Sequence, residues 1–96
     1  MEPFDEYLKN HHAGEENAIT DRELRRSYGL HGAELRALVN ALRQNGVPIC
    51  SSERGYYFAA GKRDIEKTID HLAGRQHSLS LVIAGLRDAA EAWGEP

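Results

Sequence analysis

Apolar residues recur along this chain at spacings that change from region to region, and the changes mark its elements. Phe4, Tyr7, Leu8 and His11 fall at i, i+3, i+4 and i+7 behind Pro3, which predicts a first helix opened by proline. Residues 12–17 read as a loop with Gly14 as the helix stop, and Ala18-Ile19 as a very short extended piece. Thr20 and Glu23 have the spacing of a capping box, which predicts a second helix through Leu24 to about Tyr28, ended by Gly29. A third helix is expected from Gly32 to about Gln44, because Leu35, Leu38, Val39 and Leu42 form one inward stripe before Asn45-Gly46. Residues 47–51 and 56–59 read as two strands around the turn formers of residues 52–55. Pro48 keeps the first of these at an edge, and Tyr56, Tyr57 and Phe58 must alternate sides, so at least one is core.

From Lys62 onward the spacing becomes a heptad. Ile65, Ile69, Leu72, Gln76, Leu79, Ile83, Leu86, Ala90 and Trp93 alternate steps of four and three, broken in polarity only at Gln76. Gly74 and residues 78–80 are weak helix material, so one bent helix and two shorter ones are both open. The organisation expected is one domain over residues 1–61 and a helical segment over residues 62–96 that packs on it. The stripe Leu79, Val82, Ile83, Leu86 and Trp93 is longer than so small a domain can bury, and it is expected to make a homodimer. The alternative is that it folds back on the first helix of a monomer.

Composition narrows the class. Ninety-six residues allow one core, and 41% hydrophobic with 28% charged residues is an ordinary globular balance. No apolar run approaches the roughly eighteen residues of a membrane span, and the acidic start does not read as a signal peptide, so a soluble cytoplasmic protein is expected. The single cysteine, Cys50, cannot form an internal disulfide and is expected as a small buried hydrophobe. His11-His12, His31, His71 and His77 lack the spacing of a metal-binding face, so no metal or cofactor is expected. No nucleophile, base and orienting acid are arranged together, and an enzyme is not expected.

The net charge of −3 hides an uneven distribution. Residues 20–63 carry eight arginines and lysines against four acids, while the segments on either side are acidic. Screening confines such charges to local action over about 8–10 Å, so a basic middle is what a partner meets.

The order helix, short strand, helix, glycine turn, helix, hairpin, long helix predicts an α+β, mostly helical fold of the winged helix-turn-helix type: a three-helix core, a two- or three-stranded wing and a long C-terminal helix. Glu16-Asn17-Ala18-Ile19-Thr20, Tyr28-Gly29-Leu30, the run from Leu42 through Gly46 to Ser52, and Gly55-Tyr56-Tyr57-Phe58 carry a likeness along the chain. In these residues the chain resembles the small winged helix DNA-binding proteins of bacteria and phages. The resemblance implies binding of double-stranded DNA, as a transcriptional regulator or as a replication accessory factor of a phage or mobile element. His31 and Ala33 depart from the family pattern at the start of the recognition helix, where a serine or threonine cap and a polar residue are usual.

Steps of about 100° per residue turn Ala33, Arg36, Ala37, Asn40 and Gln44 away from the core, with Gly32 at the start of that face. Arg36 suits the O6 and N7 of guanine and Asn40 the N6 and N7 of adenine, each bidentately, while the alanines could meet a thymine methyl. Arg22, Arg25 and Arg26 on the preceding helix, and Arg43, are expected at phosphates. Ser51, Ser52 and Arg54 at the wing tip complete the set, the arginine being suited to a narrow minor groove. Dimerisation would set two such faces about one turn of DNA apart. The competing expectation is a winged helix that binds protein through its acidic ends and C-terminal stripe, without DNA.

Overall fold

Local sequence sets nearly every boundary in the computed structural model, which describes residues 1–93. Helix α1 (Phe4–His11) starts behind Pro3, with Asp5 and Glu6 in its first turn and Lys9 and His11 in its last, charges that suit the helix dipole. A single 3₁₀ turn (Glu15–Asn17) leads to α2 (Asp21–Tyr28). Thr20 caps α2 by accepting the Glu23 N–H at 3.2 Å, so one half of the expected capping box forms. Gly29 ends α2 in the left-handed conformation (φ 62°), which places the Leu30 N–H on the Arg25 carbonyl and the Gly29 N–H on that of Arg26. Both orphan carbonyls are satisfied and the chain turns sharply. Helix α3 (Gly32–Gln44) follows after three residues, its first turn held by the His31 N–H on the Glu34 carboxylate at 2.9 Å. The same closure ends α3, with the Val47 N–H on Leu42 O.

The hairpin of β1 (Ile49–Ser52) and β2 (Gly55–Phe58) is antiparallel, with Ile49 opposite Phe58 and Ser52 opposite Gly55. Strand β1 begins two residues later and ends one later than its sequence predicts, and β2 is displaced by one residue. Pro48 starts the turn into β1 and contributes only a carbonyl, which accepts the Ala59 N–H. On its other side β2 is joined by single residues. Ile19 and Tyr56 exchange two backbone hydrogen bonds, of 2.9 and 2.8 Å, and Phe58 bonds to His12 O and the Gly14 N–H. The short extended piece at Ile19 is therefore a one-residue bridge rather than a third strand.

The sheet has two covered faces. Phe4, Leu8, Ile19, Leu24, Leu35, Val39 and Ile49 make the main core, with Leu30, Tyr56 and Phe58 against it. Phe4 and Tyr28 pack edge to face at 5.4 Å, Tyr7 and Tyr28 at 5.6 Å, and the Tyr28 hydroxyl donates to Glu2 O at 2.8 Å. His11, expected on the inner stripe of α1, is instead exposed, with its ring Nε2 2.7 Å from Glu2. Cys50 and Tyr57 point to the opposite face and are buried beneath α4 (Lys62–Trp93). There Thr68, also buried, accepts the Ser51 N–H.

Helix α4 is continuous for 32 residues, or about 48 Å. Gly74 does not break it, and Ser78 and Ser80 return their hydroxyls to the carbonyls of Gly74 and Gln76. It does not fold back on α1. Its first turns cover β1, and from Ile69 to Trp93 every side chain is exposed. The molecule measures 56 × 30 × 23 Å as a result. In sum, the described chain is α+β and mostly helical, four α-helices with a two-stranded antiparallel sheet, an arrangement consistent with a winged helix.

Candidate nucleic-acid interface

The two sides of α3 divide as its sequence period requires. Leu35 and Val39 are buried and Leu38 and Leu42 half-buried, while Ala33, Arg36, Ala37, Asn40 and Gln44 are exposed and Gly32 lies between. The Arg36 side chain runs back along the helix over Gly32, and a Cβ there would lie 3.3 Å from its Nη1. Among the described residues Arg36 makes no hydrogen bond or ion pair, so its five donors remain available for a partner.

A groove of about 360 Å³ opens between this face of α3, the hairpin and α4. Its lining includes Arg36, Asn40, Arg43, Arg75 and Gln76, with Ser51 and Tyr56 at its floor, and no carboxylate. Three guanidinium groups around one concavity raise the local potential far above what the net charge suggests. A second groove, about 350 Å³, lies against the turn of the hairpin and is lined by Asp21, Ser52, Glu53, Arg54 and Arg75 among others. Arg75 borders both, standing between α3 and the hairpin.

Arg43, expected at phosphate, uses two of its donors inside the chain. Its Nε donates to Ile49 O at 2.8 Å and its Nη2 to the Ser51 hydroxyl at 3.2 Å. Burial, and more weakly the like charge of Arg75, push its pKa below the ordinary arginine value. Arg43 thus ties α3 to β1 and lends the groove charge more than donors.

On α2, Arg25 is paired with Asp21, Nε to Oδ1 2.6 Å, whereas Arg22 and Arg26 are exposed on a shared side. Neither groove reaches these three arginines. At the tip of the hairpin, Glu53 and Arg54 form the exposed two-residue turn and the Arg54 N–H donates to the Ser52 hydroxyl. Behind it, Glu15 lies 3.7 Å from Lys67. The Ser52 hydroxyl, then the charges of Lys67 and Arg54, hold the Glu15 carboxyl below its usual range.

Of the groove residues, Arg75 escapes the sequence reading. A covering helix gives no reason to place Arg75 beside α3, though Gln76 next to it, the one polar seam position, is the available signal. Leu79, Val82, Ile83, Leu86 and Trp93, the residues expected to make a dimer, are all exposed at the far end of α4. Among the described residues no three His, Cys, Asp or Glu side chains are grouped to hold a metal ion, and no helix is long and apolar enough to cross a membrane. No protein-family model, curated protein or solved structure matches this chain.

Proposed function

We propose that this protein binds double-stranded DNA through a winged helix domain in which α2 and α3 form the helix-turn-helix and the β1–β2 hairpin is the wing. The observation that carries this reading is the groove in which Arg36, Arg43 and Arg75 meet without a carboxylate, beside an α3 face left open by the protomer. An α-helix of this kind fits the major groove, where Arg36 pairs with guanine and Asn40 with adenine. Ala33 and Ala37 allow close approach of the backbone. Arg75 and the exposed Arg22 and Arg26 neutralise phosphates, and Arg54 reaches the neighbouring minor groove from the wing. The role is that of a transcriptional regulator or of a replication accessory factor in a phage or mobile element.

The test is a gel shift with random-sequence duplex over a range of salt. The three phosphate contacts give a slope of log K against log salt of about −3. Arg36→Ala removes a bidentate base contact and lowers affinity for a selected duplex by about tenfold or more. Binding that ignores both salt and Arg36, or no binding at low salt, overturns the reading in favour of a protein-binding module.

A further inference from the structure

The distal half of α4 is the part of the molecule that the domain leaves unexplained. Leu79, Val82, Ile83, Leu86 and Trp93 are 61, 57, 49, 65 and 76% exposed, on a helix that runs about 32 Å past Leu72. Soluble chains rarely display so continuous an apolar stripe unless something covers it. The stripe repeats every 3.5 residues, with Ile69 and Ile83 at one seam position and Leu72, Leu79 and Leu86 at the other. That is the pattern of a helix whose knobs enter the holes of another helix of the same kind, which makes a second copy of this chain the occupant.

We infer that α4 pairs with α4 of a second copy in the antiparallel sense over residues 76–93, the two-fold axis passing beside Ala84 and Gly85. Two observations fix the direction. First, the base of the seam lies beside the hairpin. Ile65 and Leu72 flank the buried Thr68 over β1, so a parallel partner would collide with the protomer's own hairpin. Second, the layers match in one direction only. Parallel pairing sets Trp93 on Trp93 and Ala90 on Ala90, which overfills one layer and leaves a void in the next. Antiparallel pairing sets Gln76 against the partner's Trp93, Leu79 against Ala90 and Ile83 against Leu86. Large then meets small, as close packing requires. The indole N–H of Trp93 gains an acceptor in the Gln76 amide, so the seam's one polar residue has a partner. Val82 then flanks Ala89, and Ser80 flanks Arg87.

This inference does not depend on DNA binding; Gln76 and Leu79 line the arginine groove as well as the seam, so a variant beyond them separates the two. Sedimentation of the full chain from low to high micromolar concentration is expected to show monomer giving way to dimer. The fluorescence of Trp93, the sole tryptophan, is expected to shift to the blue in step. Because Cys50 is buried, introduced thiols report cleanly under mild oxidation. A mixture of Leu79→Cys and Ala90→Cys chains is expected to cross-link, while Leu79→Cys alone does not. Ile83→Asp, on an exposed position, is expected to abolish the dimer without changing the urea midpoint of the domain. A monomer at every concentration overturns the inference, as does Leu79→Cys cross-linking to itself as fast as the mixture. Salt-dependent gel shifts of the Ile83→Asp monomer test the DNA reading alone.

Discussion

A Cβ at Gly55 would lie 2.1 Å from the carbonyl oxygen of Ile19, on a backbone with φ of 123°. Gly55→Ala must therefore move the hairpin off Ile19 and strain its own backbone, breaking the paired bonds between Ile19 and Tyr56. The expected loss is at least about 2 kcal/mol, read from urea denaturation. Gly46→Ala, where φ is 84° but nothing stands within 4 Å, should cost only about 1–2 kcal/mol. The arginines of the groove divide in a comparable way. Arg43→Ala removes two charge-assisted bonds that join α3 to β1, and should lower stability by about 1.5–3 kcal/mol. Arg36→Ala touches no internal partner and should leave stability within about 0.5 kcal/mol while weakening duplex binding. Denaturation and gel shift on the same two proteins check the contrast, and a stable Arg43→Ala would show that the tie between α3 and β1 is ornamental.

Elements were legible where a local rule decides them. The α3 stripe Leu35, Val39, the caps at Thr20 and Gly29, and the turn around Glu53 follow from spacing and residue type, and the structure places them within a residue or so. What spacing cannot give is which faces of two elements meet. Arg43 sits at the edge of the α3 stripe, where sequence allows either solvent or a neighbour, and only the register of β1 puts Ile49 O beside it. The continuity of α4 over Gly74 was equally open, because weak helix formers lower helix stability without forbidding it. The second sheet face was visible only as alternation, yet it carries a pH dependence. Burial under α4 pushes the thiol of Cys50 up, and the phenol of Tyr57 likewise. Both are neutral in either state below the usual thiol pKa of about 8.5. Above it the unfolded thiol ionises while the folded one does not, so stability falls as pH rises until the folded pKa is passed. Urea midpoints between neutral and alkaline pH should show the decline, with its first step removed in Cys50→Ala relative to that variant's own neutral value.

At the scale of the whole molecule, charge and shape divide between two ends that meet at Gln76 and Leu79, where the cationic groove ends and the apolar seam begins. The acidic ends set the net charge of −3, but the concavity between α3, the hairpin and the middle of α4 is cationic, and Arg75 joins its two grooves. Removing Arg75 should cut the salt slope of duplex binding by about one and weaken binding to all sequences alike, the signature of a phosphate contact. Shape adds an independent expectation. A chain ending after His77 keeps Ile65, Thr68, Leu72 and Arg75, hence the cover over Cys50 and the arginines of the groove, and loses only exposed residues, Leu79 of the groove wall among them. Its urea midpoint should match that of the intact domain, and its salt slope should stay that of one protomer. A chain ending after Gly61 uncovers Cys50 and Tyr57, leaves the Ser51 N–H without its acceptor, and should be destabilised enough to unfold at low urea. Comparing both truncations by circular dichroism and gel shift assigns α4 its two jobs: the first three turns hold the sheet, and the turns beyond His77 stand clear of it. Loss of the folded domain in the longer truncation would mean that the exposed half of α4 contributes to the core after all.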